Sequence, residues 1–159
     1  MTQRLFRICM LLTLGFAASQ TVLSAQEGNG LEGVWSVSVT VVNCQTGAPI
    51  RTVASLQQFR HDGSMIETAN TASRGISEGV WAYAGDKTAV DEFWFYRYKT
   101  DGTFASRARA SEKIELGKDG EFTSAGMIKD YDASGNLLTT GCFTHTATRL
   151  TAGLHGDND

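Results

Sequence analysis

The chain has 159 residues, and its composition of 42% hydrophobic and 19% charged residues, with 17 glycines and one proline, suits one globular domain. This length excludes large two-domain enzymes. The formal net charge of −3 provides neither a basic stripe for nucleic acid nor a polybasic segment for a membrane surface, so we expect no nucleic-acid partner.

The start of the chain is typical of a secretory signal peptide. Arg4 and Arg7 precede an apolar run at residues 8–18, and small and polar residues continue to Ala25. The run is shorter than the roughly 20 residues that an α-helix needs to span a bilayer. We therefore predict a signal peptide at residues 1–25 and a secreted or periplasmic protein that keeps no integral membrane segment after cleavage.

The remainder of the chain is predicted to form one domain with short flanks. Small, polar and glycine-rich segments predict a flexible N-terminus at residues 26–31 and a flexible acidic tail at residues 152–159, which leaves residues 32–151 for the folded domain. Two cysteines, Cys44 and Cys142, remain after cleavage. An even number of cysteines in an exported chain favours a disulfide, with two buried free thiols as the alternative.

Turn signals recur at short intervals between runs rich in β-branched and aromatic residues. They are Asp62-Gly63, Asp101-Gly102, Asp119-Gly120 and Ser134-Gly135-Asn136. They predict strands at residues 33–44, 50–60, 64–69, 79–84, 90–99, 103–116, 121–131 and 137–150. Because the connections are short, these eight strands favour an all-β fold, an antiparallel up-and-down barrel.

Alternation along the strands predicts which side chains face the interior. In the sixth predicted strand, small and apolar residues alternate with charged ones, which turns Ser106, Ala108 and Glu112 inward. If the barrel closes, the first and last strands pair antiparallel, and placing Cys44 opposite Cys142 sets Val41 opposite His145. The inward set on these two strands is then Val37, Val39, Val41, Phe143, His145 and Ala147, with both cysteines outward.

One motif at the predicted seam carries a family resemblance. Gly33-Val34-Trp35 in the first strand, with Arg149 near Trp35 from the last strand, resembles the signature of lipocalins and their calycin relatives. The resemblance implies a calycin-like barrel whose arginine stacks on the indole and seals one end. Residues 43–49, 79–81 and 141–149 are also similar to a group of small secreted bacterial proteins, which implies no particular activity.

The predicted interior contains the candidate site residues. Those expected to bind a ligand are Val39, Val41, Trp94, Tyr96, Ser106, Ala108, Phe143 and His145. For the aromatic residues, core packing is the alternative. His145 and Glu112 are the catalytic candidates, because a histidine and a carboxylate in one apolar cavity shift each other's pKa. We favour instead a buried histidine satisfied by a hydroxyl group or water.

Three further patterns are weak matches. Residues 75–79 match a nucleophile elbow but lack the strand before and the helix after the serine. Asp130 begins a sequence similar to a calcium loop, but Gly141 stands where a bidentate Glu is needed. The histidines have no zinc-ligand spacing. We therefore predict no metal and no cofactor.

These features predict an exported barrel that binds a small hydrophobic or amphipathic ligand in its interior. A barrel of eight strands has room inside for side chains or for one small ligand. One alternative is a small barrel isomerase or cyclase of the allene-oxide-cyclase type, with His145 and Glu112 as acid and base. The other is an extracytoplasmic protein-binding or protease-inhibitor barrel.

Overall fold

The computed structural model describes residues 30–118 and 120–151, which contain eight strands and no helix. The strands are β1 (Gly33–Val42), β2 (Pro49–Phe59), β3 (Ser64–Ala69), β4 (Ser77–Gly85), β5 (Thr88–Tyr98), β6 (Phe104–Leu116), β7 (Glu121–Tyr131) and β8 (Leu137–Arg149). Every predicted strand is present, with ends within two residues of the predicted ones. The predicted signal peptide and acidic tail lie outside the described residues, as do residues 26–29.

The strands form a closed antiparallel barrel. Each strand pairs with the next in sequence, and β8 pairs with β1 to close the sheet. This confirms the predicted all-β, eight-stranded up-and-down barrel. The described residues include no helix that could cross a membrane.

Asp-Gly turns connect two pairs of strands as the sequence predicts. Gly63 has a φ of +81°, a conformation that glycine adopts without steric cost. The Oδ1 atom of Asp62 accepts the backbone N–H of Ser64 at 2.9 Å, which stabilises the turn. Asp101 and Gly102 repeat this arrangement between β5 and β6.

The disulfide between Cys44 and Cys142 is confirmed, but the predicted pairing of β1 with β8 is wrong by two residues. Val42, rather than Cys44, lies opposite Cys142, and Val41 lies opposite Phe143. The reason is that β1 ends at Val42, so Cys44 reaches β8 diagonally from the following turn, with 5.2 Å between the two Cα atoms. A shift of two residues preserves the faces, so the predicted inward set is unchanged.

One end of the barrel is filled by large side chains. They are Leu31, Trp35, Phe59, Met65, Ile114 and Phe122, all almost fully buried. The rings of Trp35 and Phe122 meet edge to face, with 4.8 Å between their centroids. We call this the closed end.

Trp35 and Arg149 lie directly opposite each other at the closed end. The guanidinium carbon of Arg149 lies 4.2 Å from the centroid of the Trp35 ring, and the group donates hydrogen bonds to the backbone oxygens of Gly30 and Glu32. Gly33, at a φ of +133°, lies against the guanidinium, where any Cβ would approach Nη1 to 2.5 Å. This explains why glycine precedes Val34 in the motif.

Leu31 differs from the sequence-based expectation of a flexible N-terminus at residues 26–31. Its side chain is fully buried, and its carbonyl accepts a hydrogen bond from Trp35 Nε1 at 2.8 Å. Its N–H donates to the hydroxyl of Tyr83, also at 2.8 Å. The folded domain therefore includes this residue, because it covers the closed end of the core.

Candidate functional site

The other end of the barrel, opposite Trp35, holds a cavity of about 210 Å³. Its apolar walls come from β1, β2, β5, β6, β7 and β8: Val39, Val41, Val53, Phe93, Phe95, Ala110, Ile128 and Phe143. Its polar lining includes Arg51, Glu67, Arg74, Arg97, Asp130 and His145. The cavity thus combines apolar surface with a few charged groups, the usual composition of a small-molecule site.

The aromatic residues of β5 that line the cavity lie on the face opposite to Trp94 and Tyr96, which were expected to face inward. Phe95 is 2% exposed and lies in the cavity wall, whereas Tyr96 is 53% exposed on the outer surface. Trp94 also lies outside the cavity, where it is paired with Arg109 of β6. The expected positions of Trp94 and Tyr96 are therefore wrong. The inner face of β6 carries small residues, and Phe95 lies opposite Ala108, so the larger side chains of β5 fill this space.

Other residues expected at the site divide into two groups. Val39, Val41, Phe143 and His145 line the cavity. Ser106 and Ala108 face the interior and are buried, but they are not part of the cavity wall.

His145 and Glu112 meet at the inner end of the cavity, on the side towards the closed end. Nδ1 of His145 lies 3.0 Å from Oε2 of Glu112, and the same oxygen accepts a hydrogen bond from the Ser124 hydroxyl. The His145 ring stacks on Phe143, with 4.8 Å between the ring centroids. Since Nδ1 faces the carboxylate, Nε2 is the nitrogen left for a molecule in the cavity.

Asp91 lies beside Glu112 in the neighbouring strand. Burial, followed by the charge of Glu112, raises the pKa of Asp91 well above its usual range. Both carboxyl oxygens of Asp91 and Oε1 of Glu112 are buried without a conventional donor. One proton shared between two adjacent carboxyl groups can satisfy such oxygens, as in other closely spaced carboxyl pairs.

Gly126 allows β7 to pass close to this cluster. It lies between Glu112 on β6 and Phe143 on β8. A Cβ at this position would come within 2.6 Å of the Phe143 ring and within 2.5 Å of the Ser111 carbonyl oxygen. The absence of a side chain therefore lets Phe143 stay packed in the interior.

Arg74, from the connection between β3 and β4, reaches over the cavity mouth. Its Nη2 donates hydrogen bonds to Glu67 and Ser77, and its guanidinium carbon lies 3.5 Å from the centroid of the Phe95 ring. Its Nε is buried and has no hydrogen-bond partner. Burial lowers the pKa of Arg74, and the adjacent Glu67 carboxylate counteracts that effect.

Arg97, at the end of β5, is the second arginine beside Phe95. Its guanidinium carbon lies 4.9 Å from the centroid of that ring, and its Nε donates to Oδ1 of Asp130 at 2.6 Å. Ser106 donates to the same carboxylate oxygen at 2.9 Å. Among the described residues, the Nη atoms of Arg97 make no hydrogen bond, so they remain available at the mouth.

Several of these residues were not found from the sequence. Pairing β5 with β6 sets Asp91 directly opposite Glu112, so the inward position of Glu112 implies that Asp91 also faces inward. Glu67 alternates with Ile66, and that pattern does not show which of the two faces inward. Arg74 lies in a connection without periodicity, so no strand pattern indicates its position.

No protein-family model matches the chain, and no curated protein matches it either. The closed eight-stranded antiparallel barrel is consistent with the calycin-like architecture that the Trp35 motif implies. Within residues 30–118 and 120–151, no group of three or more His, Cys, Asp or Glu side chains is arranged to hold a metal ion.

Proposed function

We propose that the protein binds one small, partly apolar molecule in the cavity at the end of the barrel opposite Trp35, which we call the open end. The observation that carries this proposal is the cavity itself, because packed protein interiors contain few voids larger than a water molecule. Three phenylalanine rings form part of its wall, and polar groups occur at its base and mouth. This distribution suits a ligand with an apolar body and a polar end.

The cavity volume restricts the ligand to a small size. A buried cavity of about 150 Å³ accommodates benzene. At about 210 Å³, this cavity suits a single ring with a short substituent, or a branched aliphatic chain of similar size. It is smaller than the range of roughly 300–1,000 Å³ typical of sites for drug-sized ligands. Long-chain lipids would extend far beyond the mouth.

Titration of the oxidised protein with neutral monocyclic probes tests the proposal. Phenylacetamide and toluene are followed by ¹H–¹⁵N NMR spectra, with saturable shifts expected at Phe95, Phe143 and His145. Val41→Phe places a ring in the cavity and is expected to weaken binding about tenfold or more. Val42→Phe, the neighbour on the opposite face of β1, is the control and should bind as the unmodified protein does.

Two results would contradict ligand binding in the cavity. One is the absence of saturable shifts at the three wall residues with every probe. The other is equal weakening by Val41→Phe and Val42→Phe, since a nonspecific surface contact does not depend on which face of β1 carries the ring.

Acid–base catalysis is a second candidate function, favoured by the contact between His145 and Glu112. A carboxylate at Nδ1 orients an imidazole and leaves Nε2 to accept or donate a proton. Such an enzyme would exchange carbon-bound protons of a bound molecule with solvent. Incubation of binders in D₂O, followed by ¹H NMR, should show exchange that His145→Ala abolishes and Thr144→Ala retains. Exchange that is unchanged in His145→Ala would remove this histidine from the mechanism.

A further inference from the structure

The charged side chains around the cavity carry more positive than negative charge. Three arginines line it, together with two carboxylates that lie close to the arginines. Arg74 pairs with Glu67 and Arg97 pairs with Asp130, whereas Arg51 has no ion pair among the described residues. The mouth therefore has a positive surplus, although the whole chain carries a formal net charge of −3. A local excess of this sign attracts anions.

The arginines also retain unused hydrogen-bond donors. Arg97 uses only its Nε for Asp130, which leaves both Nη groups beside the cavity. Arg74 binds Glu67 and Ser77 through Nη2 alone. A guanidinium group binds a carboxylate well, because its planar donors match the two oxygens.

The two ends of the cavity differ in the charge they would accept. Below the cavity, Glu112 and the neighbouring Asp91 place two carboxyl groups together, and Glu112 lies 3.0 Å from His145. A second anion entering that region would be repelled by Glu112. At the mouth, guanidinium groups lie over the Phe95 ring. The charges thus favour one orientation of an amphipathic anion.

We propose that the cavity binds a small monocarboxylic acid, with its carboxylate at Arg97 and Arg74 and its apolar group against Phe93, Phe95 and Phe143. This inference rests on the proposed binding function and specifies the class of ligand. The two arginines hold the acid at the entrance, and the phenylalanine rings enclose a single ring or a branched chain. The carboxylate stays partly hydrated, which reduces the cost of its desolvation.

A set of three probes of nearly equal shape tests the charge preference. Phenylacetate, phenylacetamide and 2-phenylethylamine differ mainly in the charge of their polar end. Isothermal titration calorimetry should show phenylacetate binding about tenfold more tightly than the amide, and the amine binding most weakly. The advantage of the acid should shrink as salt is added, because ions screen charge at the exposed mouth.

Variants at the mouth identify the residues responsible. Arg97→Gln combined with Asp130→Asn removes the ion pair without leaving a buried charge alone. It should lower the preference for phenylacetate over phenylacetamide severalfold, because the Nη groups of Arg97 are lost while Arg74 remains. Arg51→Gln, on an exposed side chain, provides a second variant that retains both ion pairs and should lower the preference by a smaller factor. Arg107→Gln on the outer face of β6 is the control.

The outcomes separate this inference from the proposed function. Equal affinity for the acid and the amide, or a preference that is undiminished in the Arg97 and Asp130 double variant, overturns the carboxylate assignment while cavity binding stands. If the neutral amide also fails to bind, the cavity is not a binding site for ligands of this size, and both proposals fail.

Discussion

In the middle of the barrel, Nδ1 of His145 lies 3.0 Å from Oε2 of Glu112, which is within ion-pair distance. At most 1% of either side chain is exposed. They come from β8 and β6, on either side of the strand that carries Gly126. Burying charged groups is costly unless each has a partner. Asp91 adds a further carboxyl group, so the protonation of this cluster is coupled to the stability of the barrel.

Asp91→Asn should stabilise the protein at neutral and alkaline pH. Burial and Glu112 raise the pKa of Asp91 in the folded state, so the folded protein holds a proton that the unfolded chain releases. Stability attributable to Asp91 is greatest below its usual pKa and falls as the pH rises through the higher folded-state value. Asparagine can still donate to Glu112 and carries no charge at any pH.

Urea unfolding between about pH 4 and 9 measures this effect. The midpoint of the variant should exceed that of the unmodified protein at high pH, and the difference should shrink at low pH. Asp86→Asn, on an exposed residue, is the matched control. If the variant instead becomes less stable than the unmodified protein as the pH increases, Asp91 and Glu112 do not share a proton.

Removing the disulfide should destabilise the barrel substantially. The bond between Cys44 and Cys142 links residues 98 apart in the sequence and holds the β1–β8 seam near the cavity mouth. In the chain-entropy model, a loop of this size corresponds to about 4.7 kcal/mol. Guanidinium unfolding of the Cys44→Ser, Cys142→Ser double variant should show this loss. Equal stability of the oxidised protein and the variant would contradict a stabilising role.

Arg149→Lys should weaken the closed end. Lysine keeps the charge but loses the planar group that stacks on Trp35 and donates to Gly30 and Glu32. We expect a loss of about 2 kcal/mol in the free energy of unfolding. Arg107→Lys on the outer surface should change it by less than about 0.5 kcal/mol. If both substitutions have the same small effect, Arg149 does not seal this end.

Phe95 and Tyr96 should respond very differently to truncation. Phe95→Ala removes a buried ring from the cavity wall and should cost about 3 kcal/mol. Tyr96→Ala, on the outer surface, should cost less than about 1 kcal/mol. Thermal unfolding of the two variants measures the difference. A larger loss for Tyr96 would show that the strand presents its other face to the interior.

The sequence predicts the fold well because the local signals agree with one another. Asp-Gly turns separate the strands, and β6 alternates small residues with charged ones, so its inner face is unambiguous. β5 has aromatic residues on both faces, and hydrophobicity alone does not decide between Phe95 and Tyr96. The choice follows from packing against the inner face of β6, where Ala108 leaves space for Phe95.

The site was only partly predictable for related reasons. Strand alternation placed His145 and Glu112 in the interior. It carries no information about Arg74, which lies outside the strands, and the position of Asp91 beside Glu112 depends on pairing between two strands. The predicted pairing of β1 with β8 turned the correct side chains inward but was shifted by two residues. The reason is that Cys44 lies in a turn, so its disulfide partner Cys142 is not directly opposite it.

A crystal structure of the oxidised protein under xenon pressure tests most directly whether the open end is an accessible cavity. Xenon enters empty apolar cavities without requiring a specific hydrogen bond. We expect xenon density between the rings of Phe95 and Phe143, with His145 still beside Glu112. An interior closed by repacked side chains, with no xenon at this position, would contradict the proposed binding site.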